Sequence, residues 1–302
     1  MSHSDILKRI GPVLPGDTIG LAAPGSPFSK RDFLKGVALL KSWGYCPVFQ
    51  RDIFQSKGYL ARSDERRAQE LAALFLDPRV KAILFARGGY GMMRLLPLLP
   101  WSQIGRSPKV VMGYSDVTPL LNVLWTRYRY PSLHGPMVAT DFSQKWATSF
   151  KKDFLHFFQD PQRPYFFSDP RLRVLQPGRA KGPLVGGCLS LLVSTLGTPY
   201  EIETHGSLLF LEDRGEALYR VDRMLTQLRL AKKLEGVRGI LLGSFFSGSQ
   251  RKDFYRFIKD FFKGFSGPIL TEVSTGHCRR ARILPIGRMA TIESPLKGIT
   301  IL

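Results

Sequence analysis

From Thr18 to Trp125 short apolar runs alternate with stretches of helical spacing, and this alternation constrains the fold most strongly. Residues 18–23 (TIGLAA) read as a strand stopped by Pro24-Gly25. Residues 30–43 place Phe33, Leu34, Val37 and Leu40 on one helical stripe, with Lys41 and Ser42 off it. Ser63 is positioned to cap a second helix, with Asp64 and Glu65 in its first turn. Residues 80–86 (VKAILFA) are apolar almost throughout, as a strand covered on both faces must be. A short helix is expected over 91–99, a strand over 109–113 and a helix over 116–125. Strands separated by helices pair in parallel through right-handed crossovers, so the first half reads as α/β.

The pattern weakens between about residues 140 and 182, where lysines and arginines mix with Pro161, Pro164, Pro170 and Pro177. A helix near 150–158 followed by an interdomain linker is expected there. Beyond it come a strand over 207–211, a helix over 217–230, a strand over 239–242, a helix over 253–262 and a strand near 268–270. Pro285, Gly287 and the alternating tail 290–302 read as short strands, giving this half a more mixed sheet. The expected division is a nucleophile domain over 1–145, a basic linker over 146–181 and a C-terminal domain over 182–302. A chain of 302 residues can bury two such cores without disulfide or metal staples.

Forty-four Lys and Arg against 24 Asp and Glu give a net charge of +20. That balance invites a nucleic-acid, anionic-membrane or anionic-substrate reading. No zinc-finger spacing, RNP-like run or basic heptad supports a specific nucleic-acid partner. No apolar stretch approaches the ~20 residues of a membrane span, and the first residues lack a signal-peptide core. Cys46, Cys188 and Cys278 form no CxxC pair. Reduced thiols and a cytoplasmic location are the expectation.

Three places could carry chemistry. At Gly113-Tyr114-Ser115-Asp116 an apolar strand runs into a serine and a helix follows, as at a nucleophile elbow. The helix N-terminus would favour an oxyanion, with the Asp116 N–H as one donor. Val117 stands where that motif has its second glycine, and Ser115-Asp116 also reads as a simple helix cap. Arg87-Gly88-Gly89-Tyr90-Gly91 follows another strand; its glycines allow close approach to a ligand, or merely a tight turn. The G-x-G-x-x-G spacing of a dinucleotide site is not met. The apolar run 208–211 ends in Glu212-Asp213, where a carboxylate could orient a histidine or cap the next helix. Of His3, His134, His156, His205 and His277, both His134 and His277 remain candidates for the base a serine needs.

At these residues the chain resembles the LD-carboxypeptidase family of serine peptidases, which also contains microcin-immunity peptidases. The resemblance runs over almost the whole chain. It is carried in order by GYLARSD (58–64), ARGGYG (86–91), GYSDVT (113–118), HGPM (134–137), GTPY (197–200), LEDRGEALYRVDR (211–223), Gly276-His277 and LPIG (284–287). It implies a Ser115 nucleophile, a His277 base and a Glu212 orienting acid, with Glu216 as the rival acid. It implies an oxyanion hole from backbone N–H groups at Gly89 and Asp116, beside Gly88. Arg87 and Gly88 are the candidate substrate contacts, with Arg87 the candidate reader of the terminal carboxylate, or else a turn stabiliser. The implied fold is a flavodoxin-like parallel-sheet N-terminal domain with a smaller β-rich C-terminal domain, the active site between them, commonly as a homodimer. The implied reaction releases the terminal D-alanine from cytoplasmic murein tetrapeptides in peptidoglycan recycling, with no metal or organic cofactor. Cleavage of an aminoacyl or peptidyl nucleotide is the alternative. Cys188 departs from the family's usual Gly-Gly-Asn, and Cys278 adds a thiol directly after His277.

Overall fold

Val80–Phe85 is buried at every position but Lys81, so it can only be an interior strand. The computed structural model describes residues 10–245, 251–294 and 298–302. The strands of the first half are β1 (Thr18–Ala22), β2 (Cys46–Val48), β3 (Val80–Phe85), β4 (Val110–Gly113) and β5 (Ser132–His134). Those of the second are β6 (Tyr165–Ser168), β7 (Arg173–Gln176), β8 (Arg179–Cys188), β9 (Leu208–Glu212) and β10 (Gly239–Leu242). They continue with β11 (Ile269–Thr271), β12 (Leu284–Ile286), β13 (Met289–Glu293) and β14 (Gly298–Ile301).

Among the described residues the first sheet runs β2-β1-β3-β4-β5-β12. Its first five strands are parallel, in the flavodoxin-like order. The second sheet runs β6-β14-β13-β8-β9-β10-β11-β7 and is mixed, with β8 to β11 parallel at its centre. The α/β architecture and the β-rich second half agree with expectation. No helix among the described residues is long and apolar enough to cross a membrane.

The local signals act as their chemistry dictates. Ser29 Oγ accepts from Asp32 N, and Ser63 Oγ accepts from Arg66 N, capping the helices Lys30–Ser42 and Asp64–Leu76. Leu34 is 41% exposed; the buried face of the first helix is Phe33, Gly36, Val37 and Leu40. Gly36 replaces it there because the Val138 carbonyl presses against the helix where a Cβ would stand. The helix expected over 91–99 is α-helical only over Met92–Leu95, then tightens to a 3₁₀ turn at Leu96–Leu98, where Pro97 supplies no N–H.

The stretch 146–181, expected as a linker, is folded. Phe150, at the end of a 3₁₀ turn, and Phe154, Phe157 and Phe158 of the helix Lys151–Gln159 join the first core, and β6, β7 and the start of β8 join the second sheet. Its basic residues read as a connector because they lie on the exposed side of these elements, while the aromatic spacing carries the packing. Late in the chain, β12 returns to the first sheet and pairs antiparallel with β5, opposing Leu284 to His134. The two halves are therefore stitched together by strand pairing.

Candidate active site

Ser115 follows β4 after one extended residue, Tyr114, and takes φ +60, the left-handed region. Holding a non-glycine residue there costs of order 1–3 kcal/mol, and a sharp strand-to-helix turn gains an outward hydroxyl by it. The chain passes through a 3₁₀ turn at Ser115–Val117 before the helix Thr118–Tyr128. Gly88 lies against this turn: a Cβ on it would stand 2.9 Å from Ser115 Cβ and 3.0 Å from Ser115 Oγ. Gly89, at φ +98, faces Ser26, whose Oγ would lie 2.2 Å from an added Cβ. Glycine is required at both places by close approach.

Asp116 does more than present its backbone. Its fully buried carboxylate accepts from Gly91 N at 3.2 Å and Met92 N at 2.9 Å, tying the glycine turn to the elbow. Burial pushes its pKa up to about 6, against the two N–H donors and Arg67, which lower it. Arg87 is exposed and donates to Pro27 O at 2.9 Å, so the structure gives it the turn-stabilising contact.

The acid comes from the other sheet. Glu212 ends β9 and has no exposed surface. Its Oε2 accepts from the His277 ring at Nδ1 (2.9 Å) and from the His277 backbone N–H (3.0 Å). His277 Nε2 lies 3.1 Å from Ser115 Oγ. Gly276, at φ +75, makes this possible: a Cβ there would fall 2.5 Å from Glu212 Cδ. Burial draws the His277 pKa down, but the hydrogen bond and charge of Glu212 outweigh it and leave it raised.

The other candidates separate cleanly. Glu216, just before the helix Leu218–Leu230, pairs with Arg220 at 3.6 Å. Asp213 accepts from Ser190 N at 2.8 Å and Arg214 N at 2.8 Å. His134 is fully buried, with Nε2 3.8 Å from Glu212 Oε1. His156 packs beside Phe157 and Tyr165, and His205 is exposed in a turn. His3 lies outside the described residues. Cys188 is buried, its Sγ 3.3 Å from Ser190 Oγ and 3.6 Å from Asp213 Oδ1. Burial pushes the Cys278 thiol up to about 12, which disfavours a reactive thiolate. Among the described residues no three His, Cys, Asp or Glu side chains gather as a metal cluster would.

Sequence reasoning missed the joint between the two sheets. Asn122 Nδ2 donates to Gly186 O at 2.9 Å, and Gly186 N donates back to Asn122 Oδ1 at 3.1 Å. Cys188 N donates to Thr118 Oγ1 at 3.2 Å. The helix that begins below Ser115 is thus bonded to the end of β8, the strand beside Glu212. The Gly186-Gly187 pair was the available signal. Side chains there would strike Phe210 O and Thr118.

Comparison with known proteins agrees with this architecture. Residues 19–135 match the LD-carboxypeptidase N-terminal domain, and residues 181–292 match the LD-carboxypeptidase C-terminal domain. The chain is 36% identical over 292 residues to the Bacillus subtilis protein named "Probable murein peptide carboxypeptidase", covering 95% of this chain and 92% of that one. It is 26% identical over 329 residues to the Escherichia coli microcin C7 self-immunity protein MccF, covering 96% and 94%. The crystal structure of muramoyltetrapeptide carboxypeptidase from Oxalobacter formigenes superposes with a TM-score of 0.83 at 28% identity, covering 94% of this chain and 97% of that one.

Proposed function

The chain belongs to the LD-carboxypeptidase family of serine-type hydrolases, and from that premise we propose that it removes the terminal D-alanine from murein tetrapeptides in the cytoplasm, as a step of peptidoglycan recycling. The observation that carries this reading is the continuous path from Glu212 through His277 to Ser115, with contacts of 2.9 and 3.1 Å.

Ser115 Oγ attacks the carbonyl between the L-configured centre and the D-residue, and His277 Nε2 takes its proton. Glu212 holds the ring with Nδ1 toward itself, leaving Nε2 to face the serine, and stabilises the imidazolium that forms. The backbone N–H groups of Gly89 and Asp116 receive the oxyanion; each such donor typically contributes ~10²–10³ in rate. His277 then protonates the leaving D-alanine, and a water activated by the same ring releases the tripeptide. Gly88 keeps this space clear because any Cβ there would crowd Ser115. Homodimerisation and the division into a nucleophile domain over 1–145 and a C-terminal domain over 182–302 belong to the same proposal.

The test is mass spectrometry of products from murein tri-, tetra- and pentapeptides, with Ser115→Ala alongside. Loss of D-alanine from the tetrapeptide by the native chain alone is expected. Full activity in Ser115→Ala overturns the assignment. The likeness to the microcin C7 self-immunity protein favours a second reading, cleavage of a peptidyl nucleotide. A peptidyl-adenylate analogue run beside the tetrapeptide separates the two.

A further inference from the structure

In parallel sheets ligands gather outside the carboxyl ends of the strands. Glu212 stands at that edge of β9. The same edge of β10 and β11 opens into a cleft of about 580 Å³, open to solvent and lined by Arg171, Arg173, Arg251, Glu272, Ser274 and Cys278. Cys278 directly follows His277, so the cleft begins one residue from the ring that faces Ser115.

Its charges do not cancel. Arg171 pairs with Asp169 at 3.1 Å, and Arg251 pairs with Glu272 at 3.4 Å. Arg173 starts β7, and its backbone opposes Thr271 at the end of β11. Among the described residues it makes no ion pair. The lining thus has three guanidinium groups against the carboxylates of Asp169 and Glu272, and Arg173 is the cation left over. A thiolate on Cys278 would oppose an anion, but burial keeps that thiol protonated.

We propose that this cleft is an anion subsite, with Arg173 as its free cation, for a carboxylate or phosphate of the substrate remote from the scissile bond. A guanidinium presents paired N–H donors that match either group. The inference rests on the peptidase reading and deepens it: peptides with an additional acidic group would be preferred. Murein peptides supply that group as carboxylates, and nucleotide-linked peptides supply it as phosphate.

Binding to the full-length Ser115→Ala protein, measured by calorimetry, tests the subsite without turnover. The ligands are a murein tetrapeptide, its side-chain-amidated analogue and a non-hydrolysable peptidyl adenylate. Adding Arg173→Ala is expected to weaken the tetrapeptide about tenfold and leave the amidated analogue unchanged, with Arg173→Lys between them. Arg173 is exposed, and an unchanged thermal melt verifies the fold. If only the adenylate binds and Arg173→Ala weakens it, the phosphate form of the subsite stands and the murein reading falls. If Arg173→Ala weakens the tetrapeptide and its amidated analogue equally, or weakens no ligand, the subsite is overturned.

Discussion

His134 Nε2 stands 3.8 Å from Glu212 Oε1, too far for a hydrogen bond, and neither side chain has exposed surface. The carboxylate is thus flanked by two histidines, and His277 is the one within reach of Ser115. Burial takes the His134 pKa down to about 3, assisted by His277, so its ring is neutral at ordinary pH. It packs edge-on against Phe210. His134→Phe is therefore expected to keep the fold and D-alanine release within about tenfold, whereas His277→Ala should lose about 10⁶ in kcat. Steady-state kinetics on the tetrapeptide check both; comparable losses would make His134 part of the relay.

The pH profile follows from His277. Only its neutral form can take the serine proton, so kcat/KM should rise with pH. Its midpoint should lie above the ordinary 6.5, because Glu212 outweighs burial. Glu212→Gln removes the raising partner and leaves burial, which lowers the pKa. The midpoint should then move down while kcat falls by about 10³ or more, as the ring loses its orientation. Profiles of kcat/KM from pH 5 to 9 for both proteins measure the shift.

Asn122 predicts a coupling between stability and rate. Asn122→Ala strips partners from the N–H and C=O of Gly186 inside the joint. Two buried backbone groups left unpaired cost about 2–4 kcal/mol. The helix below Ser115 then loses its bond to the strand beside Glu212, and kcat should fall with KM little changed. Denaturant unfolding and kinetics on the same preparation check the pair of effects.

Asp116 predicts a pH-dependent stability. Its folded pKa is raised to about 6, above the 3.8 of the exposed acid. Its contribution is therefore complete below pH 3.8 and is lost as pH rises through about 6. A two-unit shift corresponds to roughly 3 kcal/mol. Asp116→Asn cannot titrate, so the stability difference between native and variant chains should change by that order between pH 4 and pH 7. Denaturant midpoints across this range provide the measurement.

Local chemistry was legible in the sequence. The run VKAILFA, the cap at Ser63 and the strand–serine–helix order around Ser115 each depend on residues within one turn or strand of one another. The neighbouring histidines and carboxylates were visible as residue types, but spacing left His134 beside His277 and Glu216 beside Glu212. Distance along the chain is the reason. Ser115 and His277 are 162 residues apart, and His277 and Glu212 are 65 apart, so no periodicity relates them. The same limit hid the return of β12 to the first sheet, and it made a folded segment at 146–181 read as a linker. By itself the sequence determined which segments become strands and helices, because burial and capping are short-range. Only the tertiary structure decided which acid meets which base, because that choice depends on how two sheets are joined at Asn122 and Gly186.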